Sequence, residues 1–87
     1  MTSVVKLRQQ IAEQQNRIRE QVGRNLKLYR DANDLTQQAL SEMTGVERTS
    51  ITNIECGKNN MTIEQLLGFC EVFEITPNDM LDNLEGV

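Results

Sequence analysis

The sequence predicts an all-α domain of five helices over residues 18–84, preceded by an additional helical segment at residues 1–17. The apolar residues are almost all Leu, Ile, Val, Met and Ala, with Phe69, Phe73 and Tyr29 as the aromatics. They recur at spacings of three and four, and β-branched runs alternating with period two are absent. Ser, Thr and Gly fall where helix ends need capping. At 87 residues the chain can bury one core, which argues for one domain with one activity.

Leu7, Ile11, Ile18 and Val22 fit one helical stripe, interrupted by Gln14 and Gln15, so residues 4–17 read as helical. Spacing alone leaves open whether this segment runs straight into the next helix. Ile18, Val22, Leu26 and Tyr29 share one face of a helix ending near Ala32, and Asn33 and Asp34 supply a turn. Thr36 is a good N-cap for a helix from Gln37 to about Thr44, with Ala39, Leu40 and Met43 on its buried side.

Gly45 ends that helix, and another follows over about Glu47–Cys56, burying Ile51 and Ile54 and closed by Gly57. Thr62 and Gln65 form a capping box for the next, whose Ile63, Leu66, Leu67, Cys70 and Phe73 follow the helical period. Thr76, Pro77 and Asp79 open a last helix with Met80, Leu81 and Leu84 on its apolar side. Phe69, Val72, Ile75 and Leu84 exceed what one small core face needs, so some of them are expected at a two-fold interface.

The formal charge of -4 is unevenly spread. Residues 1–30 hold seven bases and two acids, a net +5, against -9 for the remainder. Met61–Val87 has six acids and no base, so that end should face away from phosphate, as a solvated face or a docking surface for a partner such as RNA polymerase. There is no His, no nucleophile–base pair and no phosphate loop, so an enzyme, a metal site or a bound cofactor is not expected. No run approaches the roughly 20 apolar residues of a membrane span, and Met1–Gln10 lacks the core of a secretory signal, which points to the cytoplasm. Cys56 and Cys70 suggest no disulfide framework, with Cys70 as core filler.

Residues 36–56 satisfy the steric needs of two helices joined by a tight turn. Counting from Gln37, the fifth position is the small Ser41 and the ninth is Gly45, able to take positive φ; Val46, Ile51 and Ile54 anchor the second helix. With these offsets in place, Leu35-Thr36-Gln37-Gln38-Ala39-Leu40, Gly45-Val46 and Ile51-Thr52-Asn53-Ile54-Glu55-Cys56-Gly57-Lys58 resemble the Cro and phage-repressor (XRE) helix-turn-helix family. The resemblance covers about residues 18–84 and implies a lambda-repressor-like domain.

By that resemblance, Glu47–Cys56 is a recognition helix for the major groove, with Arg48, Thr49 and Asn53 as base readers. Arg48 suits guanine O6 and N7, Asn53 suits adenine, and the Thr49 methyl suits thymine. Ser50 is a weaker reader, since its place beside Ile51 can turn it inward. The resemblance further implies phosphate contacts from Gln37 and from Lys58, Asn59 and Asn60, with Thr52, Arg24 and Lys27 as secondary ones. Arg30 and Glu55 match a family pair that forms a partly buried salt bridge. Two positions depart from the family pattern: Met61 replaces a common Pro, and Glu47 stands where Ser or Thr usually caps. Glu47 places a negative charge near phosphate, or else accepts from cytosine N4.

The implied function is a sequence-specific transcriptional regulator, a repressor or autorepressor that blocks a promoter, with activation through polymerase contact left open. It would act as a homodimer on near-palindromic double-stranded DNA, with half-site centres roughly 34 Å apart. The alternative from another class is a helical protein-interaction module, such as an antitoxin or anti-repressor. For residues 1–17 the readings are a dimer helix, a basic arm or a disordered tail, with packing or dimerisation favoured by the apolar spacing.

Overall fold

The computed structural model describes residues 3–82. It contains α1 (Val4–Ala32), α2 (Gln37–Thr44), α3 (Arg48–Glu55), α4 (Ile63–Phe73) and α5 (Pro77–Leu81). The N-terminal segment and the first helix of the domain are one continuous α-helix of 29 residues, opened by Ser3, whose side chain accepts from the Lys6 amide at 3.2 Å. Asp34 takes a left-handed conformation (φ 55°), which Asp tolerates better than most residues, and the chain turns into α2. No helix among the described residues is long and apolar enough to cross a membrane.

Every N-cap inferred from sequence is formed. The Thr36 hydroxyl accepts from the Ala39 amide at 3.0 Å, and Thr62 and Thr76 each complete a reciprocal capping box. α3 is a residue shorter at each end than expected: Glu47 is its N-cap, without a side-chain cap bond, and Cys56 its C-cap. Gly57 follows in a left-handed conformation (φ 74°).

α1 packs across α3 and α5, while α2 rests on α3 and α4. The core between them is Val22, Leu26, Leu40, Ile51, Ile54, Phe69, Cys70, Phe73 and Met80. Tyr29 stacks on Phe73 with ring centroids 5.8 Å apart, and its hydroxyl donates to the Asp79 carbonyl at 3.3 Å.

Met43, expected on the buried side of its helix, is exposed, and so are Ile18, Ile63, Leu67 and Leu81 on the apolar faces that spacing marks. Periodicity identifies the face of a helix, but a neighbour must cover it, and none among the described residues covers these positions. Phe69 is corrected in the opposite direction. It is fully buried at the centre of the core, and Val72 and Ile75 pack against that core half-buried, so Phe69 offers nothing to a two-fold interface. Leu84 lies outside the described residues.

Candidate nucleic-acid interface

The turn between α2 and α3 is built from short polar links. Gly45 adopts φ 78° and ψ 2°, and its amide donates to the Ser41 carbonyl at 2.8 Å. A Cβ there would meet no atom within 4 Å, so backbone conformation and not space selects glycine. Ser41 contributes more than small size, because its hydroxyl donates to the Val46 carbonyl at 2.6 Å and ties the turn to α2.

α3 is anchored by Ile51 and Ile54, both buried, which leaves Arg48 and Thr49 exposed at its N-terminal end. Gln37, at the start of α2, lies against this helix. The Thr52 hydroxyl donates to Gln37 Oε1 at 2.8 Å, with the Arg48 carbonyl as its alternative acceptor at 3.0 Å, and Gln37 Nε2 donates to Glu55 Oε1 at 3.2 Å. Glu55 is itself held by Arg30, from Nε to Oε2 at 2.8 Å and from Nη2 to Oε1 at 3.0 Å. The hydrogen bonds that Arg30 donates to this carboxylate push its pKa up. One side chain from each of α1 and α2 and two from α3 therefore form a single chain of contacts that fixes the Gln37 amide.

Arg48, Arg30, Thr36, Gln37 and Gln38 line an open hollow of about 290 Å³. Arg30 is neutralised there by Glu55, so the exposed Arg48, beside the N-terminal end of α2 and the positive end of its dipole, is the cation that suits an anion. Glu47 and Ser50 line a different hollow, shared with Thr62, Glu64 and Gln65 near the start of α4. The half-buried Ser50 is thus drawn toward α4, and the acidic Glu47 borders a hollow other than the one that holds Arg48.

Asn53 is half-buried, and its carbonyl accepts from the amides of Lys58 at 2.9 Å and Asn59 at 3.3 Å. The loop after α3 therefore closes on the C-terminal end of that helix, which holds the exposed Lys58, Asn59 and Asn60 at the end away from Arg48. Arg24 and Lys27 are exposed on α1, where Arg24 donates to Gln21 Oε1 at 3.1 Å. The structure brings Gln37, Thr52 and Arg48 together and places Lys58–Asn60 at the opposite end of α3, with Arg24 and Lys27 on a separate element.

Two residues that set this geometry were not singled out from the sequence. A Cβ on Gly23 would collide with the Ile54 carbonyl oxygen and crowd the Glu55 backbone, so the closest approach of α1 to α3 requires glycine. The signal was available as a lone Gly in mid-helix, costing about 1 kcal/mol relative to Ala unless packing needs it. Asn25, fully buried, donates through Nδ2 to the Met80 carbonyl at 2.7 Å and the Asp82 carbonyl at 2.6 Å, clamping the end of α5 to α1. It is a polar residue on the Val22–Leu26–Tyr29 face, where a polar side chain must bring its own partners.

Comparison with known proteins agrees with this arrangement. A family model described as a helix-turn-helix domain matches residues 23–86. The chain is 36% identical over 50 residues to the control protein C.SmaI of Serratia marcescens, covering 58% of this chain and 60% of that protein. It is 28% identical over 60 residues to the antitoxin PezA of Streptococcus pneumoniae, covering 69% of this chain and 38% of that protein. In each case the match spans less than two thirds of the relative's length. The fold is shared with the crystal structure of the restriction-modification controller protein C.AhdI from Aeromonas hydrophila, at a TM-score of 0.68 and 24% identity, over 71% of this chain and 94% of that one. With its turn glycine, buried α3 anchors and Arg30–Glu55 pair all in place, this chain belongs to the helix-turn-helix domain family, of the Cro and phage-repressor (XRE) type.

Proposed function

We propose that this protein is a sequence-specific DNA-binding regulator of transcription, acting in the cytoplasm as a homodimer on a near-palindromic operator and repressing the promoter that the operator overlaps. The observation that carries this reading is the pairing of an exposed α3 N-terminus with a Gln37 amide held by Thr52 and Glu55. Groups that suit base edges and a group that suits a phosphate stand on one rigid unit, which is what register on a duplex needs.

In this reading Arg48 donates to guanine, Thr49 meets a thymine methyl and Asn53 pairs with adenine, with Glu47 and Ser50 at the margin of the groove. Gln37, Thr52, Lys58, Asn59 and Asn60 hold phosphates, and Arg24 and Lys27 add to the attraction at longer range. Residues 18–84 are the DNA-binding unit and residues 1–17 an extension that serves association. The protein binds and performs no chemistry. Similarity to a control protein and to a restriction-modification controller supports a role in setting the output of a small operon.

Similarity to an antitoxin supports a second reading, in which a protein partner comes first and DNA second. A mobility-shift titration separates the two, using duplex from upstream of the gene and random-sequence duplex at two salt concentrations. Tighter binding of the upstream duplex is expected, with log K falling linearly as log salt rises. Failure to shift any duplex at low salt would overturn the DNA-binding reading.

A further inference from the structure

Asn25 is fully buried on α1, yet the hydrogen bonds it makes run on to the surface of that helix. Its Nδ2 donates to the Met80 carbonyl at 2.7 Å and to the Asp82 carbonyl at 2.6 Å. A primary amide carries two donor hydrogens, so these two contacts use up its donors and leave Oδ1 as an acceptor. Gln21, one turn earlier on α1, donates to that oxygen from Nε2 at 3.0 Å. This turns the nitrogen of the Gln21 amide inward and leaves Oε1 at the exposed end, where it accepts from Arg24 Nη2 at 3.1 Å. Two backbone carbonyls at the end of α5 thereby set the direction of every donor in the series.

The same stretch of α1 borders the C-terminal end of α3. Gly23 packs against the Ile54 carbonyl and the Glu55 backbone, and a Cβ on Gly57 would lie 3.1 Å from Glu20 Cγ. The loop that carries the exposed Lys58 therefore leaves α3 beside the turn of α1 running from Glu20 to Arg24. Arg24 is exposed on that turn. A guanidinium already held in one geometry loses less side-chain freedom when it meets a phosphate. Gln21 is a neutral holder, so it orients the guanidinium without placing a further negative charge where a phosphate would come.

We propose that Gln21 is a positioning residue for DNA binding: oriented by Asn25, it holds Arg24 on a phosphate at the edge of the half-site that Lys58 also occupies. This rests on the DNA-binding reading above and gives Arg24 a fixed contact in addition to its longer-range attraction. The support is internal, because Asn25 cannot release Gln21 without also loosening the end of α5 from α1. Gln21 touches no phosphate itself and acts through Arg24. Its contribution should therefore vanish when Arg24 is absent, which a double-mutant cycle reads.

Fluorescence-anisotropy titrations of the full chain, on upstream and random-sequence duplex over a salt series, test this, with urea denaturation confirming that each variant is folded. Arg24→Gln is expected to weaken binding to both duplexes alike, by about fivefold or more, and to lower the slope of log K against log salt by about one phosphate contact. Gln21→Leu keeps the charge of Arg24 but removes the acceptor that holds it, and should weaken binding by about threefold or more. In the Arg24→Gln background the same Gln21→Leu change should cost little further. Arg24→Gln binding both duplexes as tightly as wild type overturns this inference and leaves the DNA-binding reading intact. So does a Gln21→Leu loss of the same factor with and without Arg24, which is what a merely structural role would give. A wild-type chain that binds no duplex at low salt overturns the DNA-binding reading itself.

Discussion

Arg30 and Glu55 meet through two contacts, 2.8 and 3.0 Å long, and the carboxylate that closes this pair also receives the Gln37 amide. The two side chains are only 12% and 5% exposed, and Arg30 also donates to the Leu35 carbonyl at 2.8 Å. The pair thus links the end of α1, the entry to α2 and the C-terminal turn of α3. It contributes more by fixing those three elements relative to one another than by the net energy of an ion pair removed from water.

Glu55→Ala should therefore lower stability by about 3 kcal/mol, because it leaves a guanidinium largely buried without its partner. Replacing both residues with apolar ones, Arg30→Met with Glu55→Leu, should recover much of that loss. It should not recover DNA affinity, since Gln37 still lacks the carboxylate that holds its amide. Urea denaturation and a mobility-shift titration on the same variants read the two effects separately.

Gly23→Ala should destabilise the protein even though alanine is the better helix former. The gain in helix propensity is about 1 kcal/mol, whereas the added methyl meets backbone of α3, which cannot swing aside as a side chain can. Overpacking of this kind costs about 1–3 kcal/mol. A denaturation midpoint at or above wild type would show that α1 and α3 are not in the close contact described.

Arg48→Ala should cost about 1–3 kcal/mol of operator binding and relax preference at one base position. Lys58→Ala should weaken operator and random duplex alike, reducing the slope of log K against log salt by about one phosphate contact. The comparison is made by titrating both variants on operator, single-base operator variants and random duplex. Equal losses on operator and random duplex for Arg48→Ala would remove its reading role.

Cys70 should make stability fall with alkaline pH. Burial, with a smaller contribution from Asp79, pushes its thiol above the ordinary value of 9.0. The stabilising neutral thiol is fully present below 9.0, and its contribution declines as pH rises from there toward the higher folded-state pKa, because the unfolded chain ionises first. Tyr29, also pushed up by burial and by Asp79 and Asp82, adds a loss of the same sign above 10.0. Thermal unfolding of wild type and Cys70→Val across pH 7 to 10 checks this, and the variant should show the shallower decline.

Much of the fold and the core of the candidate interface were legible because they depend on local chemistry. Thr36, Thr62 and Thr76 cap the helices they precede, and Gly45 and Gly57 take the left-handed conformations their positions demand. The spacing from Gln37 through Ser41 to Ile51 and Ile54 marked the two-helix unit, and the resemblance it carried marked the Arg30–Glu55 pair. Met43 was misplaced, and Ile18, Ile63, Leu67 and Leu81 lie exposed on the apolar faces that spacing marks, because a helical period does not record whether a neighbour is present. Asn25 and Gly23 went unremarked because their partners, the carbonyls of Met80 and Asp82 and the backbone at Ile54, are distant in sequence.

The sequence by itself determined where helices start and stop and which residues α3 buries, since capping, glycine conformation and apolar spacing act over a few residues. Tertiary structure alone decided how closely α1 approaches α3 at Gly23, and which side of α3 carries Arg48 with Gln37 and which carries Glu47 with Ser50. Those outcomes depend on contacts between residues far apart in the chain, which no local pattern encodes.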